Sequence, residues 1–458
     1  MKVLDLKKIT LFGLFLLAYL GVIAQNPIIQ SKYTADPAPM VYNDTVFLFV
    51  GCDEKDAPAN RYLMREYHLY TTTDMVNWTD HGAPLKTSDF SWSLGDASAG
   101  QCIERNGKFY FYMSTMNKNI RGVSIGVAVA DSPYGPYKDA LGKALITNDM
   151  TKAAHHSYDD LDPTVFIDDD GQAYLYWGNG VCYWVKLNDD MVSINGDITA
   201  YDKNDQAIFG KGFTEAPWVY KHNKLYYMIY ASGFPESIHY STSKYITGPW
   251  KYKGVIMPLE KGSNTNHPGI INYKGNAYFF YHNDDLPGGH SYCRSVCVEQ
   301  FKYNNDGTIP ELTMTSGTRK AVATLDPYKR NEAETIARSA GITVEGDKKY
   351  GCFVSSIHDS DYIMVRNVDF GVRGGEKFIA TTSSRYHGGT IEIRTDSIDG
   401  ALLGILKTRY TGEWGNWATL SVDVKPAVGI HDLYFIFRGG KPYELFYFDY
   451  WKFNESSK

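Results

Sequence analysis

The stretch NGKFYFY at residues 106–112 joins a tight turn to a run of alternating aromatic residues. Flat rings pack well on a pleated sheet, and Gly and Asn suit turns, so the stretch predicts a turn followed by a β-strand. The same pattern recurs at residues 42–49, 170–176, 222–228 and 274–280. Successive turns are 52 to 64 residues apart. The chain therefore carries one sheet motif five times.

A second motif alternates with the first. Residues 70–78, 130–137 and 243–250 each read as a strand that ends in a polar turn and is followed by Trp or Tyr. Five units of four short strands are typical of a β-propeller. The alternative, an irregular β-sandwich, would not keep two motifs in phase. The sequence predicts an all-β fold with a five-bladed propeller, whose loops converge on a central axis.

The composition limits the kinds of partner. The chain has 458 residues, of which 43% are apolar and 15% aromatic, and its net charge is −6. The length suggests two or three domains, each large enough to bury a hydrophobic core. The acidic balance argues against a nucleic-acid partner, which would require a concentrated basic face. The aromatic content suits both β-sheet packing and stacking on sugar rings.

The first 24 residues read as a secretory signal peptide. Lys2, Lys7 and Lys8 precede an apolar stretch at residues 11–24, which is shorter than the ~20 residues of a membrane-spanning helix. We therefore predict cleavage near Gln25, no transmembrane segment in the mature chain, and export to the periplasm or the extracellular space.

A domain boundary is predicted after the turn-rich residues 315–318. The propeller is assigned to residues 25–320, and a β-sandwich (jelly-roll) domain to residues 326–458. Clear alternation of apolar and polar residues at 390–394 and 432–437 supports strands in this second domain.

Three carboxylates lie in apolar or rigid surroundings. Asp36 lies in ADPAP (35–39), Asp162 in LDPTVF (161–166) and Glu215 in FTEAPW (213–218), each directly before an aromatic strand and each followed by Pro within two residues. Asp before Pro also opens ordinary turns. Three in equivalent blade positions should instead converge on the axis, where mutual repulsion raises at least one pKa. Acid–base hydrolysis of a glycosidic bond requires such an arrangement.

With these acidic motifs, residues 31–318 resemble glycoside hydrolase family 43, whose five-bladed propellers trim xylose and arabinofuranose from plant polysaccharides. Further matching stretches are IERNGKFY (103–110), TVFIDDDG (164–171), YASGFPE (230–236), NTNH (264–267) and YNNDGTI (303–309). The resemblance implies an exo-acting, inverting enzyme that releases arabinofuranose or xylose from xylan or arabinoxylan of the plant cell wall. Which of the two sugars is released stays open.

The resemblance also implies roles for single residues. Asp36 is the general base, Glu215 the general acid, and Asp162 the residue that tunes and orients the acid. Arg294 matches an Arg that contacts substrate, although an ordinary salt bridge is the simpler interpretation. His267 matches a His near a calcium ion on the propeller axis, although a lone loop His is more often a structural hydrogen-bonding group.

Residues 331–454 resemble a family 6 carbohydrate-binding module. The matches include NEAE (331–334), GTIEIR (389–394) and TGEWGNW (411–417). They imply Glu332, Glu334 and Asp449 as ligands of a structural calcium ion. In the sugar cleft of that family, Ser356 here replaces one stacking aromatic residue and Tyr447 an Asn, which leaves Trp414 (or Trp417) without a partner. A mainly structural module and an active sugar binder both stay open.

Three other functions compete with this interpretation. A non-catalytic carbohydrate-binding propeller is disfavoured by the three intact carboxylates. A fructan-cleaving propeller would require a nucleophile motif that residues 35–38 lack. A related propeller hydrolase of arabinan stays open.

Overall fold

The structure is a computed structural model that describes residues 26–456, except residues 59, 155, 260–261, 318, 348 and 441. Almost all secondary structure in these residues is β-strand, which confirms the all-β prediction; short helical turns occur at Thr87–Asp89 and Gln206–Phe209. The predicted signal peptide lies outside the described residues. No helix in the described part of the chain is long and apolar enough to span a membrane.

Residues 34–301 form five antiparallel sheets in chain order. The first contains β1 (Thr34–Tyr42), β2 (Thr45–Asp53), β3 (Met64–Thr72), β4 (Trp78–Asp80) and β5 (Leu85–Lys86). The second contains β6 (Ser93–Arg105), β7 (Lys108–Asn117), β8 (Val123–Ala130) and β9 (Lys138–Asp139). The third contains β10 (Thr164–Ile167), β11 (Ala173–Trp177), β12 (Cys182–Leu187) and β13 (Ile194–Tyr201). The fourth contains β14 (Glu215–His222), β15 (Leu225–Ser232), β16 (Ser237–Ser243) and β17 (Lys251–Met257), and the fifth β18 (Gly269–Tyr273), β19 (Asn276–Asn283) and β20 (Ser295–Phe301).

The five sheets are arranged in a closed ring. The first strand of each sheet contacts the first strand of the next, from β1 through β6, β10 and β14 to β18, and β18 contacts β1. Buried aromatic side chains such as Phe49, Phe111 and Phe279 fill the space between sheets. The predicted β-propeller is therefore confirmed, and the first strands surround its axis.

The repeated sequence motif corresponds to the hairpin that joins the first two strands of a sheet. Arg105 pairs with Lys108 across the turn formed by Asn106 (φ 54°) and Gly107 (φ 76°). Two-residue β-hairpin turns of this type favour the sequence Asn-Gly, because both central residues of the turn need positive φ. Four of the five sheets have a two-residue turn at this place, whereas in the third sheet Ile167 pairs with Ala173 across a longer turn.

All but one of the remaining strands form a β-sandwich of two packed sheets. These remaining strands are β21 (Asn331–Glu332), β22 (Thr335–Ile336), β23 (Arg338–Ala340), β24 (Thr343–Asp347), β25 (Gly351–Ser355), β26 (Tyr362–Asp369), β27 (Gly375–Ser383), β28 (Thr390–Thr395), β29 (Leu402–Lys407), β30 (Ala418–Asp423), β31 (Ile430–Arg438) and β32 (Tyr447–Glu455). One sheet has the order β24-β25-β32-β27-β30 with β21 beside β32, and the other β23-β26-β31-β28-β29. Buried Phe378, Phe435 and Trp451 pack in the core between them. The boundary proposed at residues 320–326 stays a prediction.

Strand β22 belongs in sequence to the sandwich but pairs with β4 of the propeller. Thr335 lies opposite Thr79, and the two hydroxyl oxygens are 2.8 Å apart. The Asp80 N–H also donates to the Glu334 carbonyl oxygen at 3.3 Å. The second part of the chain thus extends the first propeller sheet by one strand, which the sequence did not predict.

Candidate active site

A cavity of about 440 Å³ lies beside the first strands of the propeller. Asp36, Asp162, Glu215 and Arg294 all line it. The structure therefore brings the three predicted catalytic carboxylates and the predicted substrate-contacting Arg into one pocket. Their individual roles stay predictions. Exposed Tyr158 and Phe234 also border the cavity.

The backbone around the three acids is irregular in a related way. Asp36 and Asp162 have φ of 53° and 58°, and each precedes a Pro. In β14 the left-handed residue is Ala216 (φ 56°), and the β-bulge lies between Glu215 and Trp218. Glu215 therefore lies one residue before the position that is equivalent to Asp36 and Asp162. The expectation that all three acids occupy equivalent positions is wrong by this one residue. Bulges commonly redirect side chains beside active sites.

Asp36 is a buried carboxylate held by a cation. Its Oδ1 accepts a hydrogen bond from Arg294 Nη1 at 2.9 Å, and its backbone N–H donates to His282 Nδ1 at 3.2 Å. Burial raises the pKa of Asp36 to about 6, although the charge of Arg294 acts in the opposite direction. Asp36 is therefore ionised near neutral pH and can accept a proton from water.

Arg294 is engaged on two sides. Its Nε and Nη2 donate to Asp53 at 2.9 Å and 2.8 Å, while Nη1 reaches Asp36. Its guanidinium also lies 4.9 Å from the ring centre of Tyr62. Both interpretations of Arg294 therefore fit: it forms a buried salt bridge, and it faces the cavity where a sugar would bind.

Glu215 and Asp162 are linked through the backbone. The N–H of Ala216, the residue after Glu215, donates to Asp162 Oδ2 at 3.1 Å. Burial raises the pKa of both carboxyl groups, and the charges of Glu215 and Asp36 raise that of Asp162 further. A raised pKa favours the protonated form of Glu215, which is the form that a general acid requires.

The sequence analysis missed two residues beside Glu215, Asn179 and Glu236, which both line the cavity. Asn179 Nδ2 donates to Glu215 Oε2. Burial, followed by the charge of Glu215, raises the pKa of Glu236. Glu236 follows a Pro, whereas the three selected acids each precede one, so the criterion that selected them did not find Glu236.

His267 lies beside Asp162. Its Nδ1 is 3.9 Å from Asp162 Oδ2, and burial lowers the pKa of His267 to about 3, so its imidazole is neutral. A neutral imidazole is able to bind a metal ion. In the described part of the chain, however, no three His, Cys, Asp or Glu side chains are grouped as metal ligands.

The predicted calcium ligands of the sandwich lie near each other. Arg330 donates to both carboxylate oxygens of Glu332 and to Asp449. Glu334 is 5% exposed, and its Oε2 has no hydrogen-bond partner among the described residues. Burial, followed by the charges of Glu332, Asp80 and Asp449, raises the pKa of Glu334 well above its usual range.

The predicted sugar cleft of the sandwich is closed by its own aromatic residues. Trp414 and Tyr447 stack with ring centres 4.2 Å apart and an interplanar angle of 20°. Position 356 supplies no second ring for a clamp, and Tyr447 covers one face of Trp414. Ser356 instead bonds to Thr343 through its hydroxyl at 2.9 Å. Because the rings of Trp414 and Tyr447 are in van der Waals contact, no sugar ring fits between them.

Two family descriptions match the chain. Residues 24–309 match glycosyl hydrolases family 43, and residues 332–455 match the carbohydrate binding module of family 6. A similar protein, arabinoxylan arabinofuranohydrolase of Bacillus subtilis (strain 168), is 32% identical over 493 aligned positions, which cover 94% of this chain and 92% of that protein.

Two solved structures extend the comparison. A family 43 arabinoxylan arabinofuranohydrolase from Bacillus subtilis, in complex with cellotetraose, has a TM-score of 0.83 at 31% identity and covers 95% of this chain and 99% of its own. A β-xylosidase/α-arabinofuranosidase from a compost microbial metagenome, in complex with xylotriose and in a calcium-free form, has a TM-score of 0.57 at 28% identity. That second match covers 63% of this chain and 97% of its own.

Proposed function

The chain belongs to glycosyl hydrolases family 43, and on that premise we propose that it releases single arabinofuranose units from arabinoxylan. It is a glycosidase of the xylan-acting type. The observation that carries the proposal is the convergence of Asp36, Asp162 and Glu215 in one cavity beside Arg294. Exposed Phe234 and Tyr158 at the edge of the cavity offer apolar faces for a sugar ring.

In the proposed mechanism, Asp36 takes a proton from a water molecule while Glu215 gives its proton to the leaving oxygen. The water oxygen bonds to the anomeric carbon as the glycosidic C–O bond breaks on the opposite face, so configuration is inverted. Asp162 orients the acid, since it holds the N–H of the residue after Glu215. Arg294 keeps Asp36 ionised and in place.

Arabinofuranose is favoured over xylose because the arabinoxylan arabinofuranohydrolase is 32% identical over 94% of this chain, whereas a xylosidase/arabinosidase that also covers both parts is 25% identical over 90%. The likeness to the β-xylosidase/α-arabinofuranosidase covers only 63% of this chain. Release of xylose is the second candidate, because both activities occur in the similar proteins.

A side-by-side assay on 4-nitrophenyl α-L-arabinofuranoside and β-D-xyloside tests this proposal, with analysis of the sugars released from arabinoxylan. We expect faster hydrolysis of the arabinofuranoside and release of free arabinose, with the Asp36→Asn variant as the control. Faster hydrolysis of the xyloside would assign the enzyme as a xylosidase, and activity on arabinan alone would assign an arabinan hydrolase. No activity on any of these substrates would leave a non-catalytic binder.

A structural calcium ion is proposed for the sandwich, held by Glu332, Glu334 and Asp449. The buried, unpartnered Oε2 of Glu334 supports it, and carboxylate oxygens suit this hard cation. Arg330 already contacts Glu332 and Asp449 and would have to move aside. A second calcium ion on the propeller axis, with His267 as a neighbour, is proposed on the family resemblance.

Calcium should raise the melting temperature of the full chain. Binding to the folded state alone adds about 2.7 kcal/mol when free calcium is 100 times its Kd. Differential scanning calorimetry with calcium and with a chelator measures the shift. Glu334→Gln should abolish it, whereas Asp399→Asn, at an exposed position of the same domain, should keep it. An unchanged wild-type melting temperature would show that the sandwich carboxylates bind no calcium.

The closed Trp414–Tyr447 pair predicts that the module contributes little to binding through this cleft. In the full chain with Asp36→Asn, added to prevent hydrolysis, we expect that Trp414→Ala leaves the Kd for xylohexaose unchanged. Isothermal titration calorimetry on the single and double variants checks this. A weaker affinity for xylohexaose in the variant that carries Trp414→Ala would show that the cleft opens and binds sugar.

We also propose export of the mature chain to the periplasm or the extracellular space, where plant cell-wall polysaccharide is its substrate. Residues 1–24 support this with their basic start and short apolar stretch. Mass spectrometry of the exported protein should find a new N-terminus near Gln25.

A further inference from the structure

Glu236 is a buried carboxyl group that the proposed mechanism does not use. It lies in the turn between β15 and β16, and its side chain is 1% exposed although it borders the cavity. Its Oε2 accepts a hydrogen bond from the Asn266 N–H at 2.7 Å. Its Oε1 is buried and has no hydrogen-bond partner among the described residues.

A hydrogen bond between Glu236 and Glu215 requires a proton on one of them. Two ionised carboxylates are both acceptors, so after Glu215 has given its proton away only Glu236 can supply the hydrogen. Because Glu236 Oε2 already accepts from Asn266, Oε1 is the oxygen left to carry that hydrogen toward Glu215. Burial, followed by the charges of Glu215 and Asp162, raises the pKa of Glu236 well above its usual range.

The charge balance of the cavity favours the same state. Asp36, Asp162, Glu215 and Glu236 line one cavity, and the guanidinium of Arg294 already binds Asp36 and Asp53. Buried carboxyl groups this close together cannot all be ionised. Glu236, which the Arg294 hydrogen bonds do not reach, is suited to remain neutral throughout the reaction.

We propose that Glu236 is a positioning residue for the general acid: its neutral carboxyl group donates a hydrogen bond to Glu215 and stabilises the carboxylate that Glu215 becomes. The inference rests on the proposed function of Glu215. As the glycosidic C–O bond breaks, its electron pair stays on the leaving oxygen, which takes the proton of Glu215. Glu236 keeps its own proton and, together with the Asn179 amide, provides a second donor to the new anion.

A purely structural role predicts different behaviour. Glu236 also holds the loop of residue 266 through Asn266, so its removal has a structural effect of its own. A structural defect slows hydrolysis of all substrates alike. A lost donor to Glu215 slows most those substrates whose leaving group needs protonation. Dependence on the leaving group therefore separates the two roles.

The kinetic test compares Glu236→Ala and Glu236→Gln on arabinoxylan and on 2,4-dinitrophenyl α-L-arabinofuranoside. We expect Glu236→Ala to lower kcat/KM about 10- to 100-fold more on arabinoxylan than on the aryl glycoside, since donors to charged groups contribute this much. Glu236→Gln retains an N–H donor and should recover most of the loss. Equal losses on both substrates, or a Gln variant as slow as the Ala variant, would overturn the proposal.

A matched control uses a buried carboxylate far from the chemistry. Asp74 is 4% exposed and accepts the N–H groups of Val76 and Asn77, each at 2.8 Å. Asp74→Ala should lower the melting temperature without changing the dependence on the leaving group. If Asp74→Ala showed the same dependence on the leaving group as Glu236→Ala, instability alone would explain that dependence.

An infrared comparison tests the proposal without any substrate. The difference spectrum between the wild type and Glu236→Gln at neutral pH should contain the carbonyl stretch of a protonated carboxylic acid. Ionised carboxylate bands alone would overturn the proposal, even if the enzyme proved to act on another sugar. Absence of activity on every glycoside would instead contradict the proposed function.

Discussion

An Asp36→Asn variant is expected to lose about 10²- to 10⁴-fold in kcat/KM on every substrate, because it removes the general base. Asn cannot take a proton from the attacking water, and every leaving group requires that attack. Arg294 keeps its two hydrogen bonds to Asp53, so the surrounding pocket should persist. Steady-state kinetics on arabinoxylan and on an aryl arabinofuranoside measure the loss, and a melting curve checks the fold.

The pH profile provides the control for this variant. The base must be ionised, and burial raises the pKa of Asp36 to about 6. Wild-type kcat/KM should therefore fall about tenfold per pH unit below that value, and it should fall again at higher pH, where Glu215 loses its proton. The residual activity of Asp36→Asn should lack this acidic limb. A limb that persists at the same pH would assign the titration to another group.

Glu215→Gln is expected to show a large but selective loss. On arabinoxylan, whose leaving oxygen needs a proton, kcat/KM should fall about 10²- to 10⁴-fold. On 2,4-dinitrophenyl α-L-arabinofuranoside the loss should be far smaller, because that leaving group departs as a stable anion. Gln still accepts the hydrogen bond from Asn179, so the variant removes the acidic proton of Glu215 with little change in the shape of the side chain.

The two variants together decide the assignment of roles. A Brønsted plot over several aryl arabinofuranosides should be steep for Glu215→Gln and resemble that of the wild type for Asp36→Asn. The same slope in both variants would mean that acid and base are wrongly assigned. The reverse pattern would exchange their roles.

Local features of the propeller could be predicted from the sequence because turn chemistry determines them. Asn106 and Gly107 both adopt positive φ, so their hairpin is encoded within a few residues. Asp36 and Asp162 could be selected because each precedes a Pro at the start of a strand. The one-residue offset of Glu215 could not be predicted, since the bulge in β14 depends on its pairing with β15.

Contacts between distant segments could not be predicted from the sequence. Glu236 lines the same cavity as Glu215 only after β14, β15 and the loop of residue 266 are brought together. Tyr447 covers Trp414 because two separate parts of the sandwich meet there. Composition and periodicity carry no information on such pairs, so the sequence located the acids but not the groups around them.

The pairing of β22 with β4 limits how the enzyme can sample a polysaccharide. A binding module on a flexible linker explores a volume set by linker length and raises the effective concentration of nearby chains. Here main-chain hydrogen bonds fix the sandwich to the edge of the first propeller sheet. Any sugar held by the sandwich would therefore lie at one fixed distance and orientation from Asp36. Avidity would arise only for polysaccharide chains whose branch spacing matches that distance. The fixed contact between the domains would therefore select substrates by their substitution pattern.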